Sequence, residues 1–159
     1  MVDGRWNAQP AEEVGRVVRH YVEAYGVDSV EFYDNNFFTS QRRVAAIAEA
    51  VTPLGIRWWG EGRVDTLLKY DDATWETMRA SGLAMAFLGA ESGSAETLAA
   101  MDKGGTLRPE HTLQLVEKMR GLGIIPELSF VLGNPPDPDR DASQTMDFIR
   151  RVKGVNPAT

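Results

Sequence analysis

The fold of this chain is indicated first by residues 83–88, which read Leu83-Ala84-Met85-Ala86-Phe87-Leu88. Six apolar residues in succession do not suit a strand that has one face in water. The run is typical of a strand buried on both sides, as in a parallel sheet. Gly82 precedes it and Gly89 follows it, so turn residues bound the predicted strand.

Helical patterns separate this strand from three similar segments. The first helix is predicted between Pro10 and Gly26, because Pro suits a first helical turn and Gly a helix stop. Its apolar positions recur with helical period at Val14, Val17, Val18, Tyr21, Val22 and Tyr25. The other predicted strands are residues 28–33, residues 56–60 and a fourth run, Leu128-Ser129-Phe130-Val131-Leu132.

Strands that alternate with helices predict consecutive right-handed βα units and therefore a parallel sheet. The spacing fits both an open doubly wound sheet and an arc of a (β/α) barrel. A closed barrel commonly needs about eight strands, so four strands would form only part of one. Both edge strands would then be open to pairing with another chain, which suggests a segment of a longer protein and a capacity for self-association at the edges.

The composition is that of a globular domain with one core: 159 residues, 43% hydrophobic and 25% charged. Lysine and arginine number 17 against 23 aspartates and glutamates, which gives a net charge of −6. This sign disfavours a protein that binds the phosphate backbone of nucleic acids. The start of the chain, Met1 to Asn7, has an early acid and no apolar segment, and no stretch approaches the ~18 apolar residues of a membrane span, so we expect a cytoplasmic protein.

Metal and redox sites are restricted by the residues that the sequence lacks. It contains no cysteine, which excludes disulfides, zinc thiolates and cysteine nucleophiles. Its two histidines, His20 and His111, both fall within helical patterns, so a histidine-rich metal site is not expected.

Polar residues gather where the predicted strands end. In parallel α/β proteins the loops after the strands share one edge of the sheet, and ligands bind there. The residues at these positions are Asp34, Asn35 and Asn36 after the first strand, Glu61 and Arg63 after the second, Glu91 and Ser92 after the third, and Gly133 and Asn134 after the fourth. The asymmetry between the two edges predicts where a site lies without naming its ligand.

Several of these residues also have a purely structural interpretation. Asp34 and Asn35 suit a turn, and Ser92 and Ser94 suit helix caps, the latter especially. Glu61 and Arg63 would suit a surface ion pair, and Trp58 and Trp59 would suit core packing. Glu91 is harder to explain in this way, because a carboxylate at the end of so apolar a strand has few structural roles.

Five segments, taken together, resemble the radical S-adenosylmethionine (radical SAM) enzymes. The resemblance is closest to the cobalamin-binding and tRNA-methylthiotransferase-like branches, including enzymes similar to the anaerobic magnesium-protoporphyrin IX monomethyl ester cyclase. It extends from about residue 10 to residue 153. The segments are Tyr33-Asp34-Asn35-Asn36-Phe37-Phe38-Thr39, Gly62-Arg63-Val64-Asp65, Phe87-Leu88-Gly89-Ala90-Glu91-Ser92-Gly93-Ser94, Leu98-Ala99-Ala100-Met101-Asp102-Lys103-Gly104 and Phe130-Val131-Leu132-Gly133-Asn134-Pro135.

The resemblance implies an incomplete (β/α) barrel in an enzyme whose 4Fe-4S cluster binds SAM and cleaves it to a 5′-deoxyadenosyl radical. It places Asp34, Asn35 and Asn36 near the SAM amino group, Glu61 and Arg63 near its ribose or carboxylate, and Glu91 and Ser92 at the ribose or carboxylate. It assigns Lys103 to the methionine carboxylate, and Gly133 and Asn134 to the adenine. Any cobalamin would bind to a separate domain.

The chain departs from this family in one large respect, the absence of the three-cysteine loop that holds the cluster. Such clusters are held by cysteine thiolates. Residues 1–159 are therefore predicted to be a single segment of a radical SAM core that lacks the first strand, its cysteine loop and the last strands. We expect the isolated chain to be inactive and to work with the remainder of a longer polypeptide.

Two other functions fit the same residues. One is a half-barrel that binds SAM or a protein partner without chemistry. The other is a hydrolase whose metal is held by Asp34, Glu61 and Glu91, and the lack of histidine at this edge disfavours it.

Overall fold

The computed structural model describes residues 8–101 and 107–159 and has an α/β fold. Its helices are α1 (Ala11–Tyr25), α2 (Gln41–Val51), α3 (Val64–Leu67), α4 (Asp72–Ala80), α5 (Ala95–Ala100), α6 (Pro109–Gly121) and α7 (Pro138–Val155). Its strands are β1 (Ser29–Phe32), β2 (Arg57–Arg63), β3 (Leu83–Glu91) and β4 (Ile125–Phe130).

The four strands form one sheet in the order β1-β2-β3-β4, and all neighbouring pairs are parallel. The prediction of four parallel strands in an α/β fold is thereby confirmed. Because all four strands run in the same direction, their carboxyl ends meet along one edge of the sheet.

The two faces of the sheet differ in burial. In β3, Ala86, Leu88 and Ala90 are buried, whereas Phe87 and Glu91, which point to the other face, are half-buried. The prediction that this strand is buried on both sides was therefore wrong for its open face. Alternation along a strand sends successive side chains to opposite faces, and within the described residues helices pack over only one of them.

The main core lies under α1, α2, α4 and α6. Trp58 of β2 is central to it, with 1% of its surface exposed, and its ring meets the rings of Phe32, Phe37 and Phe38. Its indole N–H donates to the Ser81 hydroxyl over 3.0 Å, so the polar atom of this buried side chain is satisfied. Core packing of Trp58 is confirmed, whereas the neighbouring Trp59 is half-buried on the opposite face.

The strand ends differ from the predictions in three places. Residues 61–63 and 89–91 belong to β2 and β3 and are not loops. Gly60 and Gly62 do not end β2. An added Cβ at Gly60 would lie 3.3 Å from Phe37, and one at Gly62 would lie 2.6 Å from Phe38. These two glycines therefore leave room for the two buried rings. The fourth strand starts earlier and stops at Phe130, which leaves Val131 and Leu132 exposed.

Helix α1 begins and ends as the sequence predicts. Pro10 precedes it, and Gly26 ends it in a left-handed conformation, with φ +66° and its N–H on the Val22 carbonyl. The predicted apolar stripe is only partly buried, however, because Val18 is enclosed while Tyr21 and Tyr25 are exposed. Helix α1 packs chiefly against α2, so part of its stripe faces open space beside β1.

Candidate functional site

A cleft of about 410 Å³ opens at the carboxyl ends of β1, β2 and β3. It is lined by polar groups from all three strand ends and has an apolar wall formed by Phe87, Val64 and Leu107. The predicted residues that line it are Asn35, Asn36, Arg63 and Glu91. The structure thus brings together four residues that are up to 56 positions apart, from Asn35 to Glu91.

Arg63 is held in place by a bidentate ion pair with Asp65. Its Nε and one terminal nitrogen donate to the two Asp65 oxygens over 2.9 and 3.0 Å. This hydrogen bonding raises the pKa of Arg63 and lowers the pKa of Asp65, and the charge of Glu91 adds to the rise at Arg63. Arg63 therefore stays cationic within the cleft, close enough to Glu91 for the two charges to interact.

Glu91 has an unusual backbone conformation. It is the one residue other than glycine with positive φ among the described residues, at φ +64°. The Ser92 N–H donates to the Ala90 carbonyl over 2.8 Å, so Glu91 is at the centre of a three-residue turn. A left-handed conformation costs a residue with a Cβ about 1–3 kcal/mol, and such strain tends to be found at functional sites.

The side chain of Glu91 bends back over the end of β3. An added Cβ at Gly89 would clash with the Glu91 carboxylate, so this glycine leaves the space that the carboxylate fills. Both Gly89 and Glu91 line the cleft. Glu91 was predicted to be a site residue, but neither the turn nor the role of Gly89 was predicted.

Asn36 lines the cleft and carries a buried side-chain oxygen. Its Oδ1 is buried and has no hydrogen-bond partner among the described residues. The next two residues, Phe37 and Phe38, anchor this loop in the core with 2% and 0% of their surfaces exposed. A buried acceptor without a partner is costly, so an N–H or O–H donor from a ligand would be favourable at this point.

The other predicted residues lie elsewhere. Asp34 is exposed in the turn after β1, and Glu61 is half-buried in β2, in register with Phe87 of β3. Gly133 is exposed in the turn after β4, at φ +79°. Lys103 lies outside the described residues. Asp34, Glu61 and Gly133 are not among the residues that line the cleft.

Ser92 and Asn134 hydrogen-bond within the protein. The Ser92 side chain is fully buried and its hydroxyl donates to Asp141 of α7 over 3.0 Å. The Asn134 N–H and side-chain amide both donate to the other Asp141 oxygen, each over 3.0 Å. Their arrangement favours a structural role. Ser94 caps α5 by accepting from the Thr97 N–H, which confirms the cap prediction for this serine.

Asp141 itself was missed by the sequence analysis. It is 4% exposed, and its helix buries Thr145, Phe148 and Val152 along the same stripe. An acid at a buried position of an amphipathic helix was the signal that could have identified it. Within the described residues, no group of three or more His, Asp or Glu side chains is placed to hold a metal ion.

The described helices include none that is long and apolar enough to span a membrane. No family model matches the chain. It is 25% identical over 150 residues to an uncharacterized methyltransferase of Pyrococcus horikoshii, an alignment that covers 93% of this chain and 32% of that protein.

A solved structure has a similar fold. It is the radical S-adenosylmethionine methyltransferase TsrM from Kitasatospora setae, with cobalamin and a [4Fe-4S] cluster bound. The match has a TM-score of 0.73 at 18% identity and covers 88% of this chain and 29% of that one. The chain therefore spans about a third of the length of these two proteins, and it shares its fold with part of a radical SAM methyltransferase.

Proposed function

We propose that this chain is the SAM-binding segment of a larger methyl-transferring enzyme of the radical SAM type. The observation that carries the proposal is Glu91, which lines a cleft at the carboxyl ends of parallel strands. Its backbone is strained, and the charge of its carboxylate interacts with Arg63. Both compared proteins are named as methyltransferases, which supports methyl transfer as the reaction. Similarity to the magnesium-protoporphyrin cyclase stays a prediction.

The cleft offers groups that match the polar parts of SAM. Asn36 Oδ1 would accept from the ammonium group, and the Glu91 carboxylate would accept from the ribose hydroxyls. Arg63, already oriented by Asp65, would pair with the methionine carboxylate. Contacts of this kind are charge-assisted and stronger than neutral hydrogen bonds. A contact of Lys103 with the same carboxylate stays a prediction.

The iron–sulfur cluster does not fit the residues of this chain. A sequence without cysteine has no thiolate to hold such a cluster, so its ligands would come from another part of the longer protein. In this proposal the chain binds and orients SAM, and the radical chemistry depends on residues outside it. Cobalamin, if the enzyme uses it, would bind to a separate domain.

The edge strands β1 and β4 support the proposal that this chain is a segment of a larger barrel. Within the described residues, most of the exposed large hydrophobic side chains form two groups, one near each edge strand. Those near β1 are Val17, Tyr21, Tyr25 and Tyr33, and those in or just after β4 are Ile125, Val131 and Leu132; Met146 is exposed on α7. Apolar groups beside unpaired strand edges favour further strands of the longer polypeptide there, or pairing between copies of this chain.

A second candidate is a half-barrel that binds SAM or a partner without chemistry, which the lack of cysteine favours. The coding sequence upstream of Met1 distinguishes the two. A cysteine triplet there would support the enzyme, and an upstream sequence without one would support the binding module.

The purified chain is expected to show no iron–sulfur absorbance after anaerobic reconstitution with iron and sulfide, because it has no thiolate ligands. Absorbance in the visible region, with iron and sulfide measured after desalting, provides the test. A stoichiometric cluster that survives desalting would contradict the expectation and the proposal for the cluster ligands.

SAM itself should bind weakly to the isolated chain. Without iron coordination the remaining contacts are consistent with a dissociation constant of roughly 1 mM, or about −4 kcal/mol. Glu91→Ala removes the carboxylate, and Gly89→Ala displaces it by filling its space, so both should weaken binding. Ligand-observed NMR measures affinities in this range.

Glu110→Ala provides a matched control, since Glu110 is an exposed acid in the first turn of α6 and does not line the cleft. We expect its affinity for SAM to equal that of the unsubstituted chain. Equal binding by all four proteins would overturn the role of Glu91 in SAM recognition.

A further inference from the structure

Asp141 links the ends of two strands from a third element, helix α7. Its Oδ1 accepts from the Ser92 hydroxyl over 3.0 Å and from the Thr97 hydroxyl over 2.8 Å, on the β3 side. Its Oδ2 accepts twice from Asn134, on the β4 side. One buried carboxylate therefore satisfies four donors, each of its oxygens serving one strand end.

Both sets of bonds lead to Glu91. On one side Ser92 is the next residue, and its hydroxyl also accepts from the Ser94 N–H over 3.0 Å, which fixes the chain as it leaves the turn. On the other side the Asn134 side chain donates to the Val131 carbonyl, and the Val131 N–H donates to the Glu91 carbonyl over 2.7 Å. The strained residue is thus held through its own carbonyl and through its successor.

We infer that Asp141 is a positioning residue that keeps Glu91 in its left-handed conformation and its carboxylate in the cleft. A strained backbone persists only where the surrounding structure over-determines it. The hydrogen bonds to Asp141 supply that constraint from outside the turn, while Gly89 supplies the space within it. The inference rests on the proposed function only for the identity of the ligand that Glu91 contacts.

Two substitutions separate positioning from general support. Ser92→Ala and Thr97→Val each remove one buried hydroxyl that donates to the same Asp141 oxygen, but only Ser92 adjoins Glu91. We expect Ser92→Ala to release Glu91 from positive φ, and Thr97→Val to lower stability while leaving that conformation intact. Crystal structures of both variants measure the Glu91 φ angle directly.

Affinity gives a second readout. Ser92→Ala should weaken SAM binding by about tenfold, the effect of losing one charge-assisted contact. In a chain that already carries Glu91→Ala, Ser92→Ala should cause no further loss, because it acts through Glu91. A loss of the same size in both backgrounds would show that Ser92 and Asp141 act on the cleft by another route, and would overturn the inference.

The structural readout also keeps the two proposals distinct. A change of the Glu91 φ angle in Ser92→Ala but not in Thr97→Val would support the positioning role. If the unsubstituted chain at the same time failed to bind SAM, the proposed function would be overturned while the positioning role stood. An unchanged φ angle, or the same change in Thr97→Val, would overturn the positioning role. Should Ser92→Ala fail to fold, Asn134→Ala removes the side-chain bonds on the β4 side at a half-buried position. If Glu91 kept its positive φ in Asn134→Ala, the positioning role would equally be overturned.

Discussion

Gly82→Ala is expected to destabilise the fold severely. Gly82 joins α4 to β3 at φ +99°, where an L-residue is strained, and an added Cβ would clash with the backbone carbonyl of Ile56. The Gly82 carbonyl also accepts from the Trp58 N–H over 3.0 Å, so the turn cannot shift without disturbing the start of β2.

The left-handed conformation alone costs a residue with a Cβ about 1–2 kcal/mol. Displacement of the backbone adds to it, and we expect a total loss of about 4 kcal/mol in the free energy of unfolding, at the upper end for single substitutions. Urea denaturation followed by circular dichroism measures the change. Gly154→Ala serves as the control, because nothing lies within 4 Å of the added methyl in α7.

The control should be neutral or should stabilise the protein by up to about 1 kcal/mol, since alanine is the better helix former. Equal stability of the two variants would contradict the packing of the α4–β3 turn against β2.

Asp141→Asn should lower the free energy of unfolding by about 3 kcal/mol, because hydrogen bonds to a buried charged group are strong and their loss leaves donors unpaired. Asparagine keeps the size of the side chain but replaces one of the two acceptor oxygens with a donor. That amide would face either the hydroxyls of Ser92 and Thr97 or the N–H groups of Asn134.

The pH dependence of stability provides a sharper measurement. Burial raises the pKa of Asp141, but the hydrogen bonds from Asn134, Thr97 and Ser92 outweigh it and lower the pKa to about 2 from the ordinary 3.8. A carboxyl whose pKa is lower in the folded state stabilises the protein when the pH is above its pKa in the unfolded state. This contribution is therefore present above about pH 4 and is lost as the pH falls toward 2. It amounts to about 2 kcal/mol.

Unfolding free energies measured between pH 2 and pH 6 should therefore fall less steeply in Asp141→Asn than in the unsubstituted chain. Asp65→Asn is a comparison variant: the Arg63 hydrogen bond also lowers the pKa of this partly exposed carboxyl, so its profile should be less steep as well. Identical pH profiles for the unsubstituted chain and Asp141→Asn would contradict the low pKa of Asp141.

The structure agrees with the sequence-based predictions where local pattern and chain direction decide it. The apolar run at 83–88 and the alternation of helix and strand were enough to predict four parallel strands, which the structure confirms. Parallel strands bring their carboxyl ends to one edge, which is why Asn35, Arg63 and Glu91, distant in sequence, could be predicted to lie near one another.

The structure departs from those predictions where a residue contacts a partner that is distant in sequence. The sequence predicts a second strand that ends at residue 60, but Gly60 and Gly62 lie within a longer strand and admit Phe37 and Phe38 to the core. Ser92 and Asn134 resembled ligand contacts, whereas both donate to Asp141, which lies 49 and 7 positions away from them respectively. A sequence shows that a residue is polar or small, and packing decides what that property is used for.

By itself, then, the sequence determined the class of fold, the edge of the sheet that carries polar groups and the absence of any cysteine that could hold a cluster. The left-handed turn at Glu91, the space left by Gly89 and the unpartnered oxygen of Asn36 were decided by the tertiary structure alone. The physical reason is that each depends on contacts between strand ends, loops and α7, and such contacts leave no periodic signal in the chain.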